Sequence, residues 1–389
     1  MPTRILFLFS DTGGGHRSAA QAIHEAIDLY WPGRAEISLA DFYVEAFPPP
    51  LNRTGALYGP MVNKADWTWH MSWKLGEYRG VRGPLWRALL PTMKGRFVRL
   101  IQAHDPDVVV SVHPLASTPM AVAARALPQP IPALTVVTDL VDGSAAWYDG
   151  RVNFTYVPTE PARDKGLRLG LEPGRVEVVG QPVSPRFQPF SGDRAALRRR
   201  LGLRPDTTTI LIVGGGEGMG NVYDTARAID ASELDVQLAV IAGRNATLKE
   251  DLDAFDWTAP TVVTGFVRNM PEWMAASDVI VTKAGPGTIA EALIEGLPLL
   301  LSGYVPGQEK ANVDYVVNER VGAAAFTPAT VVDTLREWLR PGNVALDDMQ
   351  ARCLALAKPN AARDLGERVL AWGERSRRER GLPMTTSME

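Results

Sequence analysis

Residues 282–293 read Thr-Lys-Ala-Gly-Pro-Gly-Thr-Ile-Ala-Glu-Ala-Leu, and Pro306-Gly307-Gln308-Glu309 follow shortly after. Gly285, Pro286 and Gly287 come between a short apolar run, residues 279–281, and a helical pattern expected from near Thr288. Small residues ahead of a helix N-terminus let backbone N–H groups close on an anion, and the helix dipole adds a favourable field. Glu291 falls one turn into that helix, too deep to cap it, where a carboxylate can accept hydrogen bonds from a ribose diol. Loop, turn and acid together suit the diphosphate and ribose of a nucleotide. Glycine-rich strand-to-helix turns also occur for tight connection alone, but a second segment points the same way. Residues 297–301 (Leu-Pro-Leu-Leu-Leu) form a buried-strand pattern whose C-terminal end runs toward Gly307-Gln308-Glu309. Ligands of open α/β sheets sit beyond the carboxyl ends of strands, so both segments are expected on one crevice.

The elements that must hold these residues alternate along the chain. Residues 5–9, 108–112, 133–137 and 176–179 in the first half, and 209–213, 236–241 and 261–263 in the second, are apolar or β-branched apart from Ser111, Glu177 and Gln237. Such runs mark strands of a parallel sheet, buried on both faces. Most end in glycine or polar residues: Asp11 to His16 after the first, His113, Thr138-Asp139, then Gly214-Gly215-Gly216, Gly243-Arg244 and Gly265-Phe266-Val267. Residues 18–30 carry apolar side chains at helical spacing after the first loop. Pro182, Pro185, Pro189 and Gly192 interrupt regular structure between the halves. At 389 residues the chain exceeds one ordinary core. The expectation is an α/β fold with two doubly wound parallel-sheet domains facing across a cleft, residues 1–184 and 185–389, with a C-terminal helix able to pack back on the first. The charged tail from Glu374 onward is expected to fray.

A formal charge of −3 argues against general nucleic-acid affinity. The single cysteine, Cys353, excludes an internal disulfide and any cysteine-based metal cluster, and fits a reducing compartment. Asp105-Pro106-Asp107 reads as a helix end leading into a strand, and no metal site is expected. No segment approaches the roughly 20 apolar residues that span a bilayer.

Four separated segments together resemble monogalactosyldiacylglycerol synthases: residues 10–17 (Ser-Asp-Thr-Gly-Gly-Gly-His-Arg), 214–220 (Gly-Gly-Gly-Glu-Gly-Met-Gly), 265–275, and 282–293 with 306–309. Residues 107–115 extend the likeness, while residues 42–100 match poorly and the last residues not at all. These are inverting glycosyltransferases of the GT-B fold, related to the N-acetylglucosaminyltransferase that forms lipid II. The resemblance implies a UDP-sugar donor held by the C-terminal domain, diacylglycerol as acceptor, and no cofactor. By position it implies Gly285, Gly287 and Thr288 at the diphosphate and Glu291 at the ribose. It places Phe266 and Val267 at the uracil, Gly216, Gly243 and Arg244 bordering the nucleotide, and Gln308 and Glu309 at the hexose hydroxyls. UDP-galactose is the expected donor, with UDP-glucose the close rival. A polyprenyl-linked acceptor, or UDP-sugar binding without catalysis, stay as alternatives. One departure is that relatives tend to have Arg directly after the equivalent of Pro182-Val183, where this chain has Ser184 and then Arg186 two residues on.

Inverting transfer needs a base near the acceptor hydroxyl and positive potential near the departing UDP. His16, at a strand mouth and a helix start, is the leading base, since an imidazole of ordinary pKa about 6.5 accepts protons near neutrality. Asp11 and Asp139 are the alternatives, as orienters of His16 or as the base itself. His113, at another strand end, is a candidate acceptor-side group or a histidine bonded to backbone. Amides and the helix dipole at Gly285–Thr288, rather than a metal, would stabilise the leaving group. Residues 53–99 carry nine Lys or Arg against Asp66 and Glu77, with Trp67, Trp69, Trp73, Trp86, Arg79 and Arg82 among them. Basic and aromatic side chains mixed this way suit an anionic membrane surface, although a solvated insertion with core tryptophans has the same composition. The expected location is the cytoplasmic face of a membrane, peripherally bound.

Overall fold

The computed structural model describes residues 1–11, 14–47, 52, 79–215, 221–306 and 308–383. The chain divides into two compact units. The first comprises Met1–Pro185, Pro306–Gln308 and Asn360–Glu389, and the second Arg186–Val305 and Glu309–Pro359. Each contains one six-stranded sheet in which every described pairing is parallel.

In the first unit the strands are β1 (Thr3–Phe9), β2 (Ala35–Asp41), β3 (Val108–Ser111), β4 (Ala133–Val136), β5 (Phe154–Val157) and β6 (Val176–Val178), in the order β2-β1-β3-β4-β5-β6. The unbroken apolar character of β1 follows from the two-residue period of a strand. Ile5, Phe7 and Phe9 enter one core with Ile23 and Ile27 of the Gly15–Tyr30 helix, while Leu6 and Leu8 enter the opposite core with Met93, Phe97 and Met120. Leu365, Val369 and Leu370 of the C-terminal helix, Ala361–Glu379, complete the first of these cores. That helix approaches the sheet closely because Gly373 has no side chain: a Cβ there would lie 2.4 Å from Thr3 Cγ2.

The C-terminal helix corrects the expected fraying from Glu374. It runs to Glu379 with Ser376 and Arg377 buried. Arg377 Nη1 donates to Asp107 Oδ2 at 2.7 Å, Arg380 Nη2 donates to Asp107 Oδ1, and the Arg4 N–H donates to Oδ2 at 2.8 Å. Asp107 is fully buried where it introduces β3, so this charge cluster fastens the helix to the N-terminal edge of the sheet.

The second unit contains β7 (Thr208–Val213), β8 (Val236–Ile241), β9 (Thr261–Thr264), β10 (Val279–Lys283), β11 (Leu299–Gly303) and β12 (Gly322–Ala324), ordered β12-β11-β10-β7-β8-β9. Asp278, just ahead of β10, receives Arg198 Nη2 at 2.6 Å and the Thr209 N–H at 2.7 Å. Both sheets therefore hold a paired aspartate at the edge where strands begin. The opposite edge carries the loops at which chemistry was expected.

Candidate functional site

In the first unit, β1 delivers the chain to Gly14, whose φ of 76° is the left-handed conformation that glycine tolerates best. His16 stands in the first turn of the following helix, half-buried. Its Nδ1 lies 2.9 Å from Thr138 Oγ1, just past β4. The His113 ring meets it edge-on with centroids 4.5 Å apart, and the Trp147 ring lies 6.0 Å away. Trp147 is fully buried and donates from Nε1 to Asp139 Oδ2 at 2.6 Å. Loops after three neighbouring strands thus bring His16, His113, Thr138 and Asp139 together.

Burial governs the electrostatics of this cluster. It lowers the His16 pKa, against the opposing pull of the Asp139 charge and the Val112 carbonyl. It raises the Asp139 carboxyl, against His16, the Trp147 and Ser144 N–H groups and Lys165. His113 is held well below the usual histidine range by burial and by His16. Its Nδ1 accepts the Leu115 N–H at 3.2 Å and so caps the Pro114–Arg125 helix, which fixes His113 as a neutral ring with its proton on Nε2. Asp11 is exposed and takes Arg17 Nη1 at 2.7 Å.

In the second unit, the Pro286–Glu295 helix begins two residues earlier than its periodicity indicated, with Pro286 in its first turn. Gly285 is its N-cap, and among the described residues no side chain caps it or accepts from its first-turn amides. A Cβ on Gly287 would meet nothing within 4 Å, which marks open space at that turn. The loop before it is pinned from behind by buried Asn312, whose Nδ2 donates to the Ala284 carbonyl at 2.9 Å. Glu291 is partly buried, no partner for its carboxyl is found among the described residues, and desolvation pushes its pKa up to about 7. Over the ends of β8 and β9, the Arg244 guanidinium stacks 4.5 Å from the centroid of the Phe266 ring, which is 53% exposed. Gly243 is left-handed with φ 63°, and its carbonyl would be 3.7 Å from a Cβ on Gly265.

Glu309 is buried and engaged at both oxygens, by Lys283 Nζ at 2.5 Å and by the Val305 N–H at 2.8 Å. Gln308 lies with the first unit. Arg186 donates to the Arg268 carbonyl at 3.2 Å, and Ser184 to Glu25 at 2.7 Å. Gly216, Gly307, Trp67, Trp69 and Trp73 lie outside the described residues. Arg79, Arg82 and Trp86 fall on the Arg79–His104 helix in a part whose side chains are not described. Farther along the same helix, Phe97 and Ile101 are core residues. Among the described residues no group of three or more His, Cys, Asp or Glu is placed to hold a metal, and no helix is long and apolar enough to cross a membrane.

Sequence reasoning passed over three residues in these clusters. Thr138 and Trp147 touch the groups it named, and Lys283 lay inside the segment it singled out. A lysine ending a buried strand just before a glycine turn is a usable signal, since apolar strands seldom finish on a charge without a partner.

Two parallel six-stranded sheets flanked by helices, with glycine loops at their carboxyl ends, place the chain in the GT-B fold class. Acinetobacter baumannii MurG has this fold, with a TM-score of 0.61 and 17% identity over 95% of this chain and all of that one. So does Anabaena HepE in its complex with UDP-glucose, with a TM-score of 0.54 and 15% identity over 95% of this chain and 99% of that one. The family model for monogalactosyldiacylglycerol synthase matches residues 16–183, and that for the glycosyltransferase family 28 C-terminal domain matches residues 209–363. The chain is 36% identical to monogalactosyldiacylglycerol synthase 1, chloroplastic, of Arabidopsis thaliana, over 92% of this chain and 69% of the relative. It is 36% identical to probable monogalactosyldiacylglycerol synthase 2 of Oryza sativa subsp. japonica, over 93% of this chain and 79% of the relative. The chain belongs to the monogalactosyldiacylglycerol synthase family.

Proposed function

We propose that this protein transfers galactose from UDP-galactose to the free hydroxyl of 1,2-diacylglycerol, with inversion, while bound peripherally at the cytoplasmic face of a membrane. The observation that carries the reading is the family match through both units, which takes in His16 as well as the loop and helix of Gly285, Gly287, Thr288 and Glu291. The diacylglycerol oxygen attacks C1 of galactose as its proton passes to His16. The bond from C1 to the β-phosphate oxygen breaks, and UDP departs with the electron pair. Asp139 orients His16 and offsets the imidazolium that forms.

The open first-turn amides receive the diphosphate. Glu291 accepts the ribose hydroxyls, and Phe266 and Val267 flank the uracil, with Gly216, Gly243 and Arg244 beside them. Gln308 and Glu309 bind the hexose. Residues 1–184 serve the acceptor and residues 185–389 the donor. Trp67, Trp69, Trp73, Trp86, Arg79 and Arg82 dock on anionic lipid, with His113 on the acceptor side. No metal enters this scheme.

Incubating the purified chain with vesicles of diacylglycerol and anionic phospholipid, and with each UDP-hexose in turn, tests the reading. A β-galactolipid from UDP-galactose and slower turnover of UDP-glucose are expected. Equal turnover of both would remove the galactose preference, and transfer to a soluble acceptor without vesicles would remove the membrane role.

Glu291 gives a second prediction. With its pKa at about 7 in the free protein, it is partly protonated near neutrality. Two ribose O–H donors favour the ionised form, so binding lowers the pKa and releases a proton. UDP affinity should therefore rise as pH goes from about 6 to about 8. Glu291→Gln should remove that proton release and weaken UDP by about tenfold. Calorimetric titration at pH near 6.5 in buffers of different ionisation enthalpy reads both effects.

A further inference from the structure

Lys283 is the one residue of the 282–293 segment whose charge neither the loop nor the helix explains. It ends β10, and its aliphatic stem passes between two glycine turns: Cε would be 3.5 Å from a Cβ on Gly215, and Nζ 3.3 Å from one on Gly285. A side chain at Gly285 would press on the ammonium, while one at Gly215 would only touch the stem. The ammonium stands at the uncapped start of the Pro286–Glu295 helix, where the field already favours an anion. Its partner is the Glu309 carboxylate at 2.5 Å, whose other oxygen is held by the Val305 N–H. The lysine side chain is 26% exposed and the glutamate 9%. The lysine is thus the more exposed member of the pair.

A diphosphate at this helix start brings a stronger and more concentrated negative charge than one carboxylate. The hexose it carries is bonded directly to the β-phosphate, so phosphate and sugar arrive within one bond of each other. Resting on the donor-site reading above, we propose that Lys283 is a two-position cation. It pairs with Glu309 in the empty site and with the β-phosphate when the donor is bound, so that Glu309 Oε1 is released to accept a hydrogen bond from a hexose hydroxyl.

Two consequences follow from the charges. UDP alone draws the lysine away and leaves a buried carboxylate short of a partner, which is costly. UDP-hexose supplies the missing donor, so the sugar is recognised most strongly once the diphosphate is seated. During transfer, as the bond from C1 to the phosphate oxygen breaks and the electron pair stays with UDP, the ammonium faces the charge that develops. Lys283 is then a catalytic residue as well as a binding one.

Calorimetric titration of the full-length protein with uridine, UDP and UDP-galactose, alongside steady-state transfer rates, tests the proposal. Lys283→Met should leave uridine binding unchanged, weaken UDP by about tenfold or more and lower kcat further, with Lys283→Arg recovering part of both. Glu309→Gln frees the lysine and should tighten UDP while weakening UDP-galactose, an opposite-signed pair of shifts that a merely structural salt bridge does not produce. Where Lys283→Met fails to fold around the stranded carboxylate, the Lys283→Met/Glu309→Gln double variant supplies the neutral pair, and it should bind UDP more weakly than Glu309→Gln alone. UDP affinity within about twofold of wild type in the folded Lys283 variant, or weaker UDP binding by Glu309→Gln, overturns the proposal. Absence of both uridine and UDP binding in the wild type would instead overturn the donor-site reading on which it rests.

Discussion

His16→Ala should lower turnover by about 10²–10⁴-fold, the usual contribution of a positioned general base. UDP binding should stay within about twofold of wild type, because His16 is assigned to the acceptor side of the reaction. The size of the effect rests on the protonation state that the cluster enforces. Burial lowers the His16 pKa, so the neutral, proton-accepting form persists to pH values below the ordinary histidine titration. With the donor saturating, wild-type kcat should therefore be level through neutrality, its acid limb displaced below the ordinary histidine titration at about 6.5. Asp139→Asn removes a negative charge that holds the His16 pKa up, and so should move that acid limb to still lower pH. The same pair of variants separates His16 from Asp139 as the base. If Asp139→Asn abolishes turnover while His16→Ala costs less than tenfold, about 1.4 kcal/mol of barrier, the aspartate is the base and the histidine its partner.

How much of this could be read beforehand depends on the distance in sequence between interacting groups. The strands of both sheet interiors were legible because double-sided burial leaves its mark on every residue, as in β1, where Ile5 and Leu6 serve opposite cores. The edge strands β2 and β12 were not recognised. Neither is buried throughout, and β12 is a short Gly-Ala-Ala run with little apolar signal. β5, although interior, reads Phe-Thr-Tyr-Val, and its polar Thr155 is fully buried. The helix start at Pro286 was available from proline's preference for the first turn. Lys283 and Glu309 were each visible in a segment of interest, but nothing local told that residues 26 apart would meet. Thr138 illustrates the same limit: it follows a strand unremarkably until the fold sets it against a ring 122 residues away. A local pattern records burial and turn chemistry. Pairings made by topology leave only an unexplained charge or hydroxyl as a trace.

Asp107→Ala illustrates that limit at its most costly, with an expected loss of about 3–5 kcal/mol of stability, the range for breaking a buried ion pair by deleting one partner. Asp107 is fully buried and Arg377 is 3% exposed, so neither finds water as a substitute. Arg377 keeps the Pro383 carbonyl as an acceptor, and Arg380 and the Arg4 N–H lose theirs. The damage should be localised. The Ala361–Glu379 helix is held at its far end by this carboxylate and along its length by Leu365, Val369 and Leu370, with Gly373 admitting the close approach to Thr3. Hydrogen exchange should therefore show the last turns of that helix and the start of β3 losing protection first, ahead of Leu6 and Leu8 in the opposite core. Arg377→Met should cost less than Asp107→Ala, because the carboxylate it leaves behind still has Arg380 and an amide. The Asp107→Ala/Arg377→Met double variant should then be less destabilised than the sum of the two single losses, since each removes the other's stranded charge. Urea denaturation of the four proteins measures that coupling. Strict additivity would mean that the helix is held by its apolar face alone, with the charge cluster contributing nothing to stability.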